Sequence, residues 1–331
     1  MQGFAIFRLP YAKVCTLLAG EVHEVPSCAD LSGRQGFVMA PFAPTPQRPI
    51  LVIEPTVADS LTPMPVLPLL PVKRQADYHI DFANFHAHLL NGDFQKLVLS
   101  RSVDIVRQGN ETPLELFHLA CEHYPRMFIS LAYTPQSGMW LAATPEILLS
   151  GQDDQWQTVA LAGTMAYGDD VRWSDKNIQE QRYVATYVTE QLERFTDRFT
   201  EDGPHTIRAG HLAHLRSDFR FTLSNHTRVG ELLQALHPTP AVCGLPKQEA
   251  FKFILSNEHH DRSYYSGFMG PLFVGGLTNL FVTLRCMQLF SDGYRLYAGG
   301  GLLKDSDEEQ EWQETETKLD TMRNLFSFHR S

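Results

Sequence analysis

Apolar residues recur along this chain mostly in short bursts of alternating character, with a few longer stretches repeating every three or four positions, a mixture that predicts strands and helices interspersed throughout. Residues 1 to 60 carry bursts such as Phe37-Val-Met39 and Ile50-Leu-Val-Ile53, broken by Pro and Gly, and read as strands and turns. Residues 63–72 hold four prolines and predict a connector, because proline removes an amide donor from any helix or central strand. Helices are predicted at Tyr78 to Leu90, with Ile80, Phe82, Phe85 and Leu89 as its apolar stripe and Asn91-Gly92 as its stop, and at Leu114 to His123, Ser174 to Phe195 and Gln248 to Leu255. Strands are predicted at Phe94 to Arg101, Met127 to Tyr133, Gly138 to Ala143, Val159 to Thr164, Asn279 to Phe290 and Arg295 to Ala298. The polar stretch from Asp197 to His205 reads as a loop, and a last helix is expected after Ser306 and Glu309, which stand at capping-box spacing.

Several charged residues break these apolar patterns. Lys96 alternates with Val98 and Ser100 on one strand face, where a lysine either snorkels from a strand end or is held for chemistry. Glu146, between Pro145 and an apolar run, is either a paired core carboxylate or an acid in a site. Glu180 falls on the stripe of Val184, Val188 and Leu192, so it faces inward and requires a partner, either a basic residue or a metal. Arg285 lies inside an apolar strand and must meet an anion. Seven carboxylates crowd residues 305–316 after three consecutive glycines, and among them Glu311 and Glu314 are neighbours on a helix surface. Two such oxygen ligands suit Mg²⁺, and no matching cations are evident nearby in the sequence. His211 and His214 are expected to be structural, since no third zinc ligand is near.

Composition narrows the classes. A chain of 331 residues with 43% hydrophobic and 20% charged residues is long enough for a large core, and a formal net charge of −10 disfavours nucleic acid or an anionic membrane as partner. Five cysteines without a C-x-x-C pair fit reduced thiols, and no stretch has the pattern of a signal peptide or membrane span, so the expected location is cytoplasmic. The element pattern predicts an α+β protein with large antiparallel β-sheets in a sandwich-like core flanked by helices. The β-rich residues 1–72 are expected to pack into the same fold as residues 78–328, as effectively one large domain.

Seven motifs then occur in one order: Gln95-Lys-Leu-Val-Leu-Ser-Arg101, Ala143-Thr-Pro-Glu146, Leu161-Ala-Gly-Thr164, His237-Pro-Thr-Pro-Ala-Val-Cys-Gly244, Tyr265-Ser-Gly267, Thr283-Leu-Arg-Cys286, and Tyr297-Ala-Gly-Gly-Gly-Leu302 with Glu311-Trp-Gln-Glu-Thr315. Together they resemble the chorismate-utilising enzymes, over roughly residues 78 to 328. The resemblance implies that Lys96 is the base activating water at C2 of chorismate and Glu146 the acid protonating the departing C4 hydroxyl. It implies magnesium ligands at Glu180 and Glu311, with Glu314 holding bound water or the outer shell. It places the ring carboxylate at Gly163 and Thr164, the enolpyruvyl carboxylate at Tyr265, Arg285 and the Gly299-Gly300 loop, and Ala241 among the substrate contacts. Lysine at position 96 and Ala162 in the Ala-Gly-Thr motif point to the isochorismate synthase branch, with salicylate synthase or an inactive chorismate-binding module as the alternatives. That branch implies Mg²⁺ as cofactor, a monomer without a glutaminase subunit, and a role in menaquinone or siderophore biosynthesis. Departures from the family pattern are Asn177 in place of an acid, Gln181 in place of a histidine, Ser263 in place of a glycine and Gly300 in place of an alanine.

Overall fold

A computed structural model describes residues 2–56, 64–72, 77–168, 172–209, 212–224 and 226–327. The strands, in chain order, are β1 (Gln2–Arg8), β2 (Thr16–Val25), β3 (Gly36–Ala40), β4 (Ile50–Pro55), β5 (Lys96–Val106), β6 (Phe128–Thr134), β7 (Gly138–Thr144), β8 (Ile147–Gln152), β9 (Gln155–Ala166), β10 (Phe199–Ala209), β11 (Leu212–Thr222), β12 (Gly244–Leu245), β13 (Phe268–Leu272), β14 (Leu277–Val282), β15 (Cys286–Leu289) and β16 (Gly293–Leu302). The helices are α1 (Tyr78–Leu90), α2 (Pro113–His123), α3 (Asp175–Leu192), α4 (Val229–Leu236), α5 (Lys247–Asn257) and α6 (Glu308–Ser327). No helix among the described residues is long and apolar enough to cross a membrane.

All strands join one antiparallel sheet in the order β10-β11-β9-β8-β14-β13-β3-β4-β2-β1-β6-β7-β15-β16-β5-β12. The N-terminal strands β1 to β4 lie in its middle, flanked by later chain: β13 pairs with β3 on one side and β6 with β1 on the other. The sheet folds back on itself. Phe128 of β6 stacks on Phe281 of β14, centroids 4.4 Å apart and planes 1° from parallel, although those strands are distant in the sheet order. Around them Phe7, Phe37, Trp140, Tyr264 and Tyr297 fill the interior between the two halves. On one outer face α3 and α4 cover β8, β9 and β11, and on the other α2 and α6 cover β6, β7, β15 and β16. A fourth cluster seats α1 and α5 against β5. The expected sandwich-like α+β core is thus built from a single sheet.

Local expectations fail where tertiary context decides. Within α1 the stripe of Phe82, Phe85 and Leu89 is buried, but Ile80 is exposed and Tyr78 takes its place against the core. The stretch expected as a loop from Asp197 forms β10 instead. It is an edge strand with mostly exposed side chains and a register shift between Asp202 and His205, so it shows no apolar alternation to read. The apolar run from Asn279 to Phe290 is two strands, parted where Arg285 takes a positive φ of 46°. Helix α6 begins at Glu308 with Asp307 accepting from the Gln310 amide, so Asp307 rather than Ser306 is the cap. The proline-rich connector, over its described residues 64–72, is neither helix nor strand and lies on the β15–β16 turn, where the Leu70 amide donates to Asp292 at 2.7 Å and the Ser291 amide donates to the Pro68 carbonyl at 2.9 Å.

The Phe128–Phe281 stack is the sandwich's closest inter-layer contact between aromatic rings among the described residues. Replacing Phe281 by Ala is expected to lower unfolding free energy by about 3–5 kcal/mol in guanidinium titration, the cost of a cavity that neighbouring strands cannot collapse. A loss under about 1 kcal/mol would show that the halves are not held by this contact.

Candidate active site

The two ends of the sheet meet at one pocket. Its walls include Glu146, Gly163, Thr164, Glu180, His214, Ala241, Tyr265, Arg285, Gly299 and Lys318. These residues come from β9, α3, β11, β16, α6 and the breaks between strands, and eight of the twelve residues picked out in the sequence are among them. Lys96 is wholly buried beside the pocket, and Glu311 and Glu314 lie behind the Gly299–Gly301 strand.

Lys96 is fixed by backbone pairing of β5 with Leu245 on one side and with β16 on the other. Its ammonium lies 2.9 Å from Glu180 Oε1 but is poorly aligned for a hydrogen bond, which leaves its donors unsatisfied. Glu180 Oε2 accepts the Gly163 amide at 3.1 Å. Burial would push the Glu180 carboxyl up, but Lys96, with help from Lys176 and Lys318, holds it below its ordinary value. A basic residue is therefore one partner of Glu180.

Gly163 sits where β9 bulges against β11, between the pairings of Thr164 with His214 and Ala162 with Leu215. Its φ of +69° and the Asn177 side chain only 3.2 Å from a would-be Cβ both require glycine. The ring nitrogen His214 Nδ1 lies 3.0 Å from the Gly163 carbonyl, which can only accept, so Nδ1 carries the proton and Nε2 is left to accept from Arg285 Nη2 at 3.2 Å. Burial and the Arg285 charge drive the His214 pKa well down, so the ring is neutral. His214 thus lines the pocket and orients Arg285. His211 lies outside the described residues.

Arg285 is buried, and among the described residues it has no carboxylate partner and its Nη1 no hydrogen bond. A guanidinium keeps its charge in such surroundings, so the fork is prepared for an anion entering the pocket. Tyr265 borders the same space, its ring stacked on Tyr297 at 5.7 Å and its hydroxyl 2.8 Å from where a Cβ on Gly299 would lie.

Glu146 follows the break between β7 and β8, and its carbonyl accepts the Val282 amide at 2.9 Å. The side chain is buried. Desolvation raises its pKa to about 8, against the lowering effects of Lys96, Arg285 and Lys318, so it is protonated at neutral pH.

The remaining two carboxylates also have lysine partners, contrary to the expectation that no cation stands near. Lys318, one turn after Glu314 on α6, donates to Glu314 Oε1 at 2.6 Å and to the Gly299 carbonyl at 2.8 Å. Lys176, one turn before Glu180 on α3, pairs with Glu311. Glu311 also accepts from Ser306 at 2.7 Å, and its second oxygen is buried without a partner. Gly300 packs against these groups, with a would-be Cβ 3.1 Å from Glu311 Oε2 and 3.8 Å from Glu314 Oε1. The free volume of the pocket is about 60 Å³, well below the several hundred typical of ligand sites.

Behind the pocket a further buried network was not visible in the sequence. Arg262 donates to the Val98 and Val242 carbonyls, both at 2.7 Å, and is held by Glu258, which also accepts the Ser100 amide at 2.7 Å. It staples the loop carrying Ala241 to the strand carrying Lys96.

Similarity to known proteins shows the family. The family model described as "Chorismate binding enzyme" matches residues 69–327. Isochorismate synthase EntC of Escherichia coli K12 is 30% identical over 245 residues, 71% of this chain and 63% of that protein. Isochorismate synthase DhbC of Bacillus subtilis 168 is 32% identical over 270 residues, 76% of this chain and 68% of that protein. Among solved structures, DhbC from Bacillus anthracis has a TM-score of 0.81 at 25% identity, covering 97% of this chain and 95% of the other. MenF, the menaquinone-specific isochorismate synthase of Escherichia coli, has the same fold, with a TM-score of 0.81 at 22% identity over 98% and 89% of the two chains. The matched region thus spans somewhat less than two thirds of EntC.

The raised pKa of Glu146 has a sign that stability can report. Its native state holds a proton that the unfolded chain releases near its ordinary value of 4.5, so its contribution is present in full below that pH and is lost as pH rises toward about 8. Relative to Glu146→Gln, the unmodified protein is expected to lose on the order of a few kcal/mol of unfolding free energy between pH 5 and pH 8. A pH-independent difference would mean that Glu146 is already ionised in the native pocket.

Proposed function

We propose, from the premise that the chain belongs to the chorismate-binding enzyme family, that it converts chorismate to isochorismate. The observation that carries this reading is the presence of two buried groups at one pocket: Lys96, just behind its wall beside Glu180, and a protonated Glu146 that lines it. Isochorismate formation needs both a proton acceptor and a proton donor. Lys96 acts as the uncharged amine, after its ammonium has released its proton: Nζ takes a proton from a water molecule whose oxygen bonds to C2 of the ring, the ring double bonds shift, the C4–O bond breaks, and Glu146 gives its proton to the departing hydroxyl. Arg285, held by His214, would receive a substrate carboxylate with the N–H donors that are unmet in this structure, and Tyr265 and the Gly299 backbone line the same side.

The residues also fit Mg²⁺. Glu180, Glu311 and Glu314 supply oxygen donors around the glycine strand, and Glu311 has one buried oxygen without a partner. Glu180 and Glu311 would ligate the ion, with Glu314 placed for its outer shell, and Lys176 and Lys318 would have to leave their carboxylates. When bound, the ion neutralises these carboxylates and attracts the substrate's own. Asn177, next to Lys176, makes its hydrogen bonds to Ser174, so the acid usual at that position in the family has no replacement here. A monomeric, cytoplasmic enzyme that needs no glutaminase subunit is part of the same proposal, in a pathway to menaquinone or to a catecholate siderophore, as the names of the relatives suggest.

The deciding experiment is incubation with chorismate and Mg²⁺ followed by separation of isochorismate, salicylate and pyruvate. Isochorismate alone is expected, and salicylate with pyruvate would replace this reading by a lyase. Lys96→Ala and Glu146→Gln are each expected to lower kcat by on the order of 10²-fold or more at saturating chorismate, while circular dichroism stays unchanged. Near-normal kcat in either variant removes that residue from the mechanism.

The metal reading makes its own prediction. EDTA should abolish turnover and Mg²⁺ restore it, and Lys176→Met, which removes a cation competing for Glu311, should tighten Mg²⁺ binding several-fold by calorimetry. Weaker binding in that variant would show that Lys176 supports the site rather than occupying it.

A further inference from the structure

Glu258 and Arg262 stand behind the pocket wall and are not among the residues that line it. Their side chains are almost wholly enclosed, 2% and 4% exposed, and meet as a two-pronged pair. Arg262 Nε donates to Glu258 Oε2 at 2.6 Å, and Nη2 donates to Oε1 at 2.8 Å.

What this pair does to the backbone follows from where β12 ends. Only Gly244 and Leu245 of β12 pair with β5, opposite Leu97 and Lys96, and one residue further the Val98 amide donates to the Cys243 carbonyl at 2.7 Å. There the chain turns away, the Val242 and Cys243 amides both donating back to the Thr239 carbonyl at 3.0 Å. Backbone groups on one edge of a strand come from alternate residues, so the next two on this edge of β5 are the Val98 carbonyl and the Ser100 amide. Arg262 Nη2 donates to the first at 2.7 Å, and Glu258 Oε1 accepts from the second at 2.7 Å. The ion pair thus continues the ladder where the strand stops. Arg262 Nη1 meanwhile donates to the Val242 carbonyl at 2.7 Å, so one planar group holds both the departing loop and the strand that it leaves. Ser100 Oγ adds a donor to Glu258 Oε1 at 2.9 Å, and the guanidinium carbon lies 4.3 Å from the centre of the Phe42 ring.

We infer that Glu258 and Arg262 are positioning residues for the reaction proposed above, setting Lys96 against the loop that carries Ala241 and Val242. The inference rests on that reading of the pocket. Lys96 precedes Val98 by two residues on the same face of β5, and Val98, Ala241 and Val242 all line the pocket. A misplacement of about 1 Å between reacting groups can cost on the order of 10²-fold in rate. Arg285, the group prepared for a substrate carboxylate, is held by His214 instead, so the effect falls on kcat more than on KM. Apolar residues in place of a buried ion pair are often no less stable, so stability alone does not require these charges. A lysine at position 262 would keep the charge but has no planar fork to reach Val98, Val242 and both Glu258 oxygens together.

The test separates positioning from stability. Arg262→Met leaves a buried carboxylate without its partner and should melt several degrees lower. Adding Glu258→Gln removes that charge while keeping an acceptor for the Ser100 amide, and should recover most of the melting temperature. In this double variant, and in Arg262→Lys, kcat on chorismate should nevertheless stay down by about tenfold or more, with KM within about threefold of the unmodified protein. If Arg262→Met alone does not fold, these two variants carry the comparison. Phe117→Ala, which opens a cavity under α2 away from the pocket, is the control: it should lower the melting temperature and keep kcat within about twofold. Hydrogen exchange read by mass spectrometry needs no turnover. In the double variant, residues 95–101 and 237–246 should both exchange faster, with β1 and β2 unchanged. If the unmodified protein makes no isochorismate, the proposed function fails, and the exchange pattern alone decides whether the pair holds these two segments. The inference is overturned if kcat returns with the melting temperature in the double variant, if Arg262→Lys turns over within about twofold of the unmodified protein, if Phe117→Ala loses as much kcat, or if exchange in the two segments is unchanged.

Discussion

Everything at the pocket depends on burying the Lys96 ammonium against the Glu180 carboxylate. The two residues belong to opposite ends of the sheet, Lys96 on β5 next to the β12 edge and Glu180 on α3, which covers β9 near the β10 edge. Neither charge can be buried alone, and removing one partner of such a pair costs about 3–5 kcal/mol. The ion pair therefore constrains how the folded sheet closes. It also explains a glycine: a side chain at Gly301 would collide with Glu180 Oε1 and lie 2.9 Å from Lys96 Cε. The same logic runs outward through Lys176 with Glu311 and Lys318 with Glu314, so three carboxylates that would repel one another share one end of the pocket with three ammonium groups.

How much of this was legible in the sequence follows from what each residue's signal depends on. The stripe of Val184, Val188 and Leu192 is local, so the inward direction of Glu180 could be read from periodicity, and the break from the apolar pattern at Lys96, Glu146 and Arg285 marked all three as needing an explanation. Pairing across the sheet is not local. Lys96 and Glu180 are far apart in sequence, and nothing in either segment names the other. Lys176 and Lys318 were within reach, since each stands one helical turn from a candidate carboxylate, but on a strongly acidic segment a lysine reads as an ordinary solvated partner. The kink at Arg285 was hidden because apolar residues continue through it on both sides, while β10 was hidden because an exposed edge strand has no buried face to imprint a pattern.

Glu146 and Glu180 show how one pocket separates two chemically identical groups. Both carboxyls are buried, and desolvation pushes both up. Glu180 accepts a backbone amide and has the lysine ammonium at 2.9 Å, so opposite charge and hydrogen bonding outweigh desolvation and it stays ionised. Glu146 feels the same lysine only at longer range, together with Arg285 and Lys318, and desolvation wins. The difference is positional: Glu180 projects from a helix onto the β5 strand, whereas Glu146 hangs from the strand break at Pro145 with its backbone tied to Val282. A single buried lysine thus keeps one carboxylate charged while leaving the other its proton, and the geometry of that one side chain decides which glutamate can serve as an acid.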